Sequence, residues 1–157
     1  MATFTFATTP ALAQEDLLSF GAGWYDIMDD DSAADFRLEY RPDQKIFWEF
    51  KPWVGGEVTS EASVWGGGGI LLDLNISDSV YITPSFGAGL YTKGGSDLDL
   101  DFPIQFRSQI EAGMKFDGGQ RVGLSFGHLS NASLGDSNPG TEVLNLYYHV
   151  PYGNFFN

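Results

Sequence analysis

From Leu17 onward the chain repeats one pattern: short runs with apolar residues at every second position, separated by turn residues. In "LLSFGAGWYDI" Leu18, Phe20, Ala22 and Trp24 share one face, and Ser19, Gly21, Gly23 and Tyr25 share the other. In "FRLEYR" Phe36, Leu38 and Tyr40 oppose Arg37, Glu39 and Arg41. Ile46, Trp48 and Phe50 then alternate with Phe47, Glu49 and Lys51, and a Gly-rich run, "SVWGGGGILLDLN", follows. Further alternating runs start near Val80, Gln109, Val122 and Glu142. A period of two is what a β-strand produces, because successive side chains leave the backbone on opposite faces. The pattern predicts an all-β protein of eight antiparallel strands.

Composition narrows the class. The 157 residues suit one domain with one core. The 20 Gly, 13 Phe, 7 Tyr and 4 Trp suit strands and tight turns better than helices. A net charge of −13 excludes nucleic acid as a partner, since the phosphate backbone would be repelled. Cysteine is absent, which removes disulfides, Cys-ligated zinc and thiol nucleophiles, and two histidines are a poor basis for a metal site. No cofactor is implied. No apolar run approaches the roughly 18 residues of a membrane-spanning helix. A membrane barrel is still open, because its strands need only about 9–11 alternating residues each.

Two features favour an eight-stranded transmembrane β-barrel over a soluble sandwich. The faces opposite the apolar ones carry both signs of charge, at Arg37, Glu39, Glu49, Lys51, Glu111 and Lys115. A narrow barrel of about eight strands is filled by side chains, so such groups would pair inside while the exterior meets lipid. Connections also alternate: "RPDQK", "SDS" and "DGGQ" read as short turns, and "MDDDSAAD", "GGEVTSEAS", "TKGGSDLDLDFP" and "NASLGDSNPG" as long loops. That asymmetry is the outer-membrane pattern, with both termini at the short-turn end of a Gram-negative bacterial barrel. Residues 15–157 are therefore expected to form one barrel domain. Residues 1–14 read as a partial export signal, with Ala11-Leu12-Ala13 before Gln14 resembling a cleavage site, or else as a disordered tail. The acidic residues of the long loops, Asp29, Asp30, Asp31, Asp35, Glu57, Glu61, Asp97, Asp99 and Asp101, read as solvated charge, with a divalent-cation role as the alternative.

The stretch "SFGHLSNASLGDSNPGTEVLNL", residues 125–146, carries the chemistry. Val122, Leu124, Phe126, His128 and Ser130 share one face of the seventh run, and Glu142, Leu144, Leu146 and Tyr148 share one face of the eighth. Those apolar faces should look outward, so three polar groups fall on the lipid side at the long-loop end, where ionisable residues are costly unless paired or functional. Cross-strand neighbours approach within about 4.5–8 Å, which allows a carboxylate, an imidazole and a hydroxyl in series. Ser130 needs an adjacent base to act as a nucleophile, His128 suits proton transfer, and Glu142 would orient the imidazole. Asn131 and Asn138 offer amide donors for an oxyanion. His149 lies on the opposite face and far down its strand, and Asp136, on the loop tip, is a weaker rival to Glu142. By spacing alone, a satisfied hydrogen-bond cluster in a non-catalytic barrel, an adhesin or scaffold, stands beside the catalytic reading.

The motif "HLSNA" followed by "NPGTE" resembles the lipid A 3-O-deacylase (PagL) family. The resemblance covers the last thirty-odd residues and, upstream, only architecture and length. It implies an eight-stranded outer-membrane barrel that removes an ester-linked 3-hydroxyacyl chain from lipid A, the lipid part of lipopolysaccharide, in the outer leaflet. It also implies a triad of Ser130, His128 and Glu142, with Asn131 and Asn138 at the matching asparagine positions. A homodimer is compatible with this reading and not legible from the sequence.

Overall fold

The computed structural model describes residues 15–29 and 32–155. The proposed export signal lies outside the described residues. Strands β1 (Leu17–Tyr25), β2 (Ala33–Arg41), β3 (Phe50–Thr59), β4 (Val64–Leu72), β5 (Leu74–Asn75), β6 (Val80–Thr92), β7 (Ile104–Lys115), β8 (Arg121–Ser130) and β9 (Thr141–Pro151) follow one another, and a short 3₁₀ turn, Tyr152–Phe155, ends the described chain. Each strand pairs antiparallel with its neighbours in the order β4-β3-β2-β1-β9-β8-β7-β6-β5, and β4 also pairs with β6. Because β4 and β5 both pair with β6 and only Asp73 separates them, they are two segments of one interrupted strand. The result is a closed eight-stranded antiparallel barrel, and closure pairs backbone groups that an open sheet would expose.

The period-two pattern sorts the side chains. Outward positions hold exposed Phe36, Leu38, Val54, Leu90, Ile110, Leu124 and Leu146, a belt of large apolar groups that water would not stabilise. Inward positions hold buried charge. Arg37 pairs with Asp35 at 2.8 Å and Glu57 at 2.5 Å, and Arg107 with Glu39 at 2.6 Å. Arg41 pairs with Glu39 at 2.9 Å and with Glu111 at 3.0 Å. His149 Nε2 meets Glu111 at 2.7 Å and its Nδ1 meets Ser19 Oγ at 2.8 Å. Buried ions persist only when paired and hydrogen-bonded, so the contacts that cross the lumen from β2 to β7, Arg41–Glu111 and Arg107–Glu39, fix which residue sits at which height.

The lumen also holds buried apolar groups, Tyr25, Trp53, Trp65, Leu129 and Val143 among them. Trp53 and Trp65 stack with ring centroids 6.0 Å apart, and the Arg107 guanidinium lies 4.0 Å from the Trp53 centroid. Two glycines of β6 give these rings room. A Cβ on Gly87 would stand 2.4 Å from Trp53 Cζ2, and one on Gly89 would stand 2.6 Å from Trp65 Cε2.

Local pattern misplaces three segments. Ile46 to Glu49 alternate like a strand but lie in the connection 42–49, where Trp48 has φ +50° and Phe47 and Trp48 are exposed. Glu49 accordingly is not in the lumen; it pairs with Lys45 across this turn at 2.8 Å. "GGEVT" is not a loop but the second half of β3, where Glu57 turns inward to Arg37, and the loop is only 60–63. Asp35 likewise belongs to β2 and faces the lumen, where its Oδ2 accepts from Arg37 Nε and Asn145 Nδ2. Charges and glycines read as loop locally because their partners are remote in sequence.

Candidate active site

β1 begins beside the end of β9, with Leu17 opposite Pro151, so the described ends of the chain share one end of the barrel with connections 42–49, 76–79 and 116–120. Connections 60–63, 93–103 and 131–140 lie at the other end. β8 finishes at that end with Ser130, and β9 starts there with Thr141.

The register places His128 directly opposite Glu142. Their side chains meet on the outer wall, Nδ1 to Oε1 at 3.0 Å, with 41% and 26% of the side chains exposed. A carboxylate on Nδ1 selects the tautomer and leaves Nε2 facing other partners. Ser130 is the next residue on the same face of β8, one pleat repeat of about 6.8 Å along the strand. Among the described residues its hydroxyl has no hydrogen-bond partner. In substrate-free sites such contacts are often long and tighten only with the substrate bound.

Neighbouring strands frame the trio. On the β7 side Ser108 lies opposite His128 and Phe106 opposite Ser130, and Phe106 stacks on Phe86 at 6.1 Å. On the loop side Gly140 closes over the imidazole: a Cβ there would stand 2.7 Å from His128 Cε1, and φ is +67°. Only glycine meets both conditions without strain. Gly140 was visible in the sequence as the end of the Asn-Pro-Gly turn, but its contact with the ring depends on the cross-strand register.

The two asparagines have different surroundings. Asn131 is fully buried, and its Nδ2 donates to the carbonyls of Leu100 at 3.1 Å and Ser137 at 2.7 Å. Its Oδ1 accepts from Ser133 N at 2.8 Å, so its side chain is engaged in shaping the loop. Asn138 is exposed, and its Oδ1 accepts from Asn131 N at 3.0 Å. Among the described residues the Asn138 amide nitrogen has no partner, and it stands next to the Ser130–Asn131 peptide.

His149 and Asp136 are not brought to this site. His149 is buried in the lumen against Glu111, and Asp136 is exposed on the loop. Among the described residues no cluster of three or more histidine or carboxylate side chains is arranged to hold a metal ion. In the loop 93–103, the hydrogen bond from Asp101 N and the ammonium of Lys93 hold the Asp99 carboxyl below the usual carboxylate range.

This chain is similar to known proteins in sequence and in fold. The lipid A deacylase PagL of Pseudomonas aeruginosa is 42% identical over 55 residues, 35% of this chain and 32% of that protein. The lipid A deacylase PagL of Bordetella bronchiseptica is 27% identical over 84 residues, 54% of this chain and 42% of that protein. The aligned stretches thus span less than half the length of either relative. The crystal structure of the outer membrane enzyme PagL superposes with a TM-score of 0.66 and 25% identity, covering 86% of this chain and 99% of that one. A designed transmembrane β-barrel, 13% identical with a TM-score of 0.57, shares the fold. The family model for lipid A 3-O-deacylase (PagL) matches residues 32–151, well over half of the chain. The chain belongs to the lipid A 3-O-deacylase (PagL) family.

Proposed function

We propose that this protein is a serine esterase of the Gram-negative outer membrane, hydrolysing an ester-linked 3-hydroxyacyl chain of lipid A. The observation that carries the reading is the His128–Glu142 pair at 3.0 Å on the outer wall, with Ser130 one same-face step away at the loop end. An ionisable pair on a lipid-facing surface is costly, and a role in chemistry accounts for its placement. A packed lumen cannot admit a lipid, whereas a site on the outer wall meets an ester sideways from the bilayer.

The steps follow from the donors and acceptors. His128 Nε2 takes the proton of Ser130 as Oγ attacks the acyl carbon, and Glu142 stabilises the imidazolium. The tetrahedral oxyanion is held by N–H donors, for which the Asn138 amide is the candidate side chain. Collapse breaks the bond to the sugar oxygen, which leaves with the proton from His128, and the acyl group stays on Ser130 as an ester. Water, deprotonated by His128, then releases the 3-hydroxy fatty acid and restores Ser130.

A serine-reactive phosphonate tests the nucleophile directly. Label is expected on Ser130 in the folded barrel, and loss of it in His128→Ala or in heat-unfolded protein. A folded barrel that takes no label, or takes it equally without His128, would contradict the esterase reading.

A further inference from the structure

Residues 93–103, between β6 and β7, reach across the loop end of the barrel to the connection that follows Ser130. Asp101 Oδ2 accepts a hydrogen bond from Ser137 N at 2.7 Å, and the preceding carbonyl, of Leu100, accepts from Asn131 Nδ2 at 3.1 Å. Asn131 Nδ2 also donates to the Ser137 carbonyl at 2.7 Å. Ser137 is therefore gripped at its N–H by one loop and at its C=O by the other. The next residue is Asn138, which docks its Oδ1 on Asn131 N at 3.0 Å. Leu100 is buried, so the loop that presents Asp101 is anchored in the barrel mouth.

Two further details place the Asp101 carboxylate by design of the backbone. Asp101 has φ +66°, and its N–H is held by Asp99 Oδ1 at 3.0 Å. The carboxylate occupies the space above Gly135, where a Cβ would stand 2.3 Å from Oδ2. An ionised acceptor on a backbone N–H is a stronger tether than a neutral one.

We infer that Asp101 is a positioning residue for the esterase reaction: by tethering Ser137 it holds the Asn138 amide beside the Ser130–Asn131 peptide, where the oxyanion forms. It touches neither substrate nor the reacting atoms, and it acts through a loop contributed by other strands. The inference rests on the reading proposed above. Its effect belongs to the chemical step, because a displaced donor loses the transition state more than the bound lipid.

Two variants at Asp101 test it with purified, refolded protein on lipid A in detergent. Asp101→Gly keeps the positive φ but removes the acceptor, and kcat should fall by roughly 10- to 100-fold, the cost of about an ångström of misplacement, with KM within about twofold. Asp101→Asn keeps an oxygen acceptor and tolerates the same φ, and should restore kcat to within about threefold of the parent. A Gly variant as active as the parent, or an Asn variant as impaired as Gly, would overturn the inference. Should the Gly variant not fold, amide hydrogen exchange of the parent decides: a protected Ser137 N–H is expected, and exchange at the open-loop rate would overturn the tether. Ser130→Ala is assayed alongside. If it retains full activity the triad reading itself fails, whereas a dead Ser130→Ala with an unimpaired Asp101→Gly defeats only the positioning role.

Discussion

Gly140 illustrates how much of this site depends on a single backbone atom. With φ +67° and the His128 ring against it, the position excludes even a methyl group. Gly140→Ala should push the imidazole away from Ser130 and lower kcat by roughly 10- to 100-fold, while the barrel keeps its heat-modifiable migration; an unchanged initial rate would contradict the packing described here. Glu142→Ala should cost less than His128→Ala, since an orienting acid is partly replaceable by water where a base is not. At this scale the alternation of residues 122–130 and 142–148 was enough to put His128, Ser130 and Glu142 on one face. The different employment of Asn131 and Asn138 was not legible. It depends on Leu100 and Asp101, which approach only because β7 lies next to β8, and nothing local to "HLSNA" encodes that contact.

Strands owe their identity to pairs that cross the lumen. Glu111 accepts from Arg41, Tyr81 and His149, and comes from a strand more than sixty residues away from Arg41. Glu111→Ala would leave the buried Arg41 guanidinium with Glu39 as its one carboxylate among the described residues and take the acceptor from Tyr81 Oη and His149 Nε2; it should destabilise the barrel by about 3–5 kcal/mol, measurable as a lower denaturant midpoint in detergent. Gly89→Ala drives a Cβ toward Trp65 Cε2 at 2.6 Å and should cost about 1–3 kcal/mol as overpacking. These pairs also explain where sequence reading slipped. Glu57 looked like loop charge because its partner, Arg37, is recognised only once β2 and β3 are side by side, and Asp35 because its remote partner, Asn145, comes from β9. Ile46 to Glu49 looked like strand because alternation is necessary for a strand but not sufficient; without a partner to complete the ladder, the segment turns.

For the whole molecule, closure and polarity order are the decisive properties. Apolar residues face out and ions face in, the inverse of a water-soluble core, and the strand ladder closes on itself through the β4–β6 pairing. Leu124, 55% exposed at mid-strand, reports on the surrounding medium. Leu124→Arg should destabilise the lipid-embedded barrel by about 2–4 kcal/mol, whereas the same change on a solvated surface would be nearly neutral; refolding titrations in bilayers distinguish the two. Fold class was legible because an outward apolar and inward charged alternation, repeated around the chain, has few other solutions. The exterior position of the site follows from the same order, since a residue on the apolar face of β8 has nowhere to point except away from the lumen.

Mass spectrometry of lipid A, and of total phospholipid, from Gram-negative cells expressing the chain or its Ser130→Ala variant tests the esterase most directly. The account predicts that the parent removes one 3-hydroxyacyl chain from lipid A and leaves phospholipids intact, and that Ser130→Ala, folded to the same extent, removes none. Lipid A left whole by the folded parent, or trimmed equally by Ser130→Ala, would contradict it.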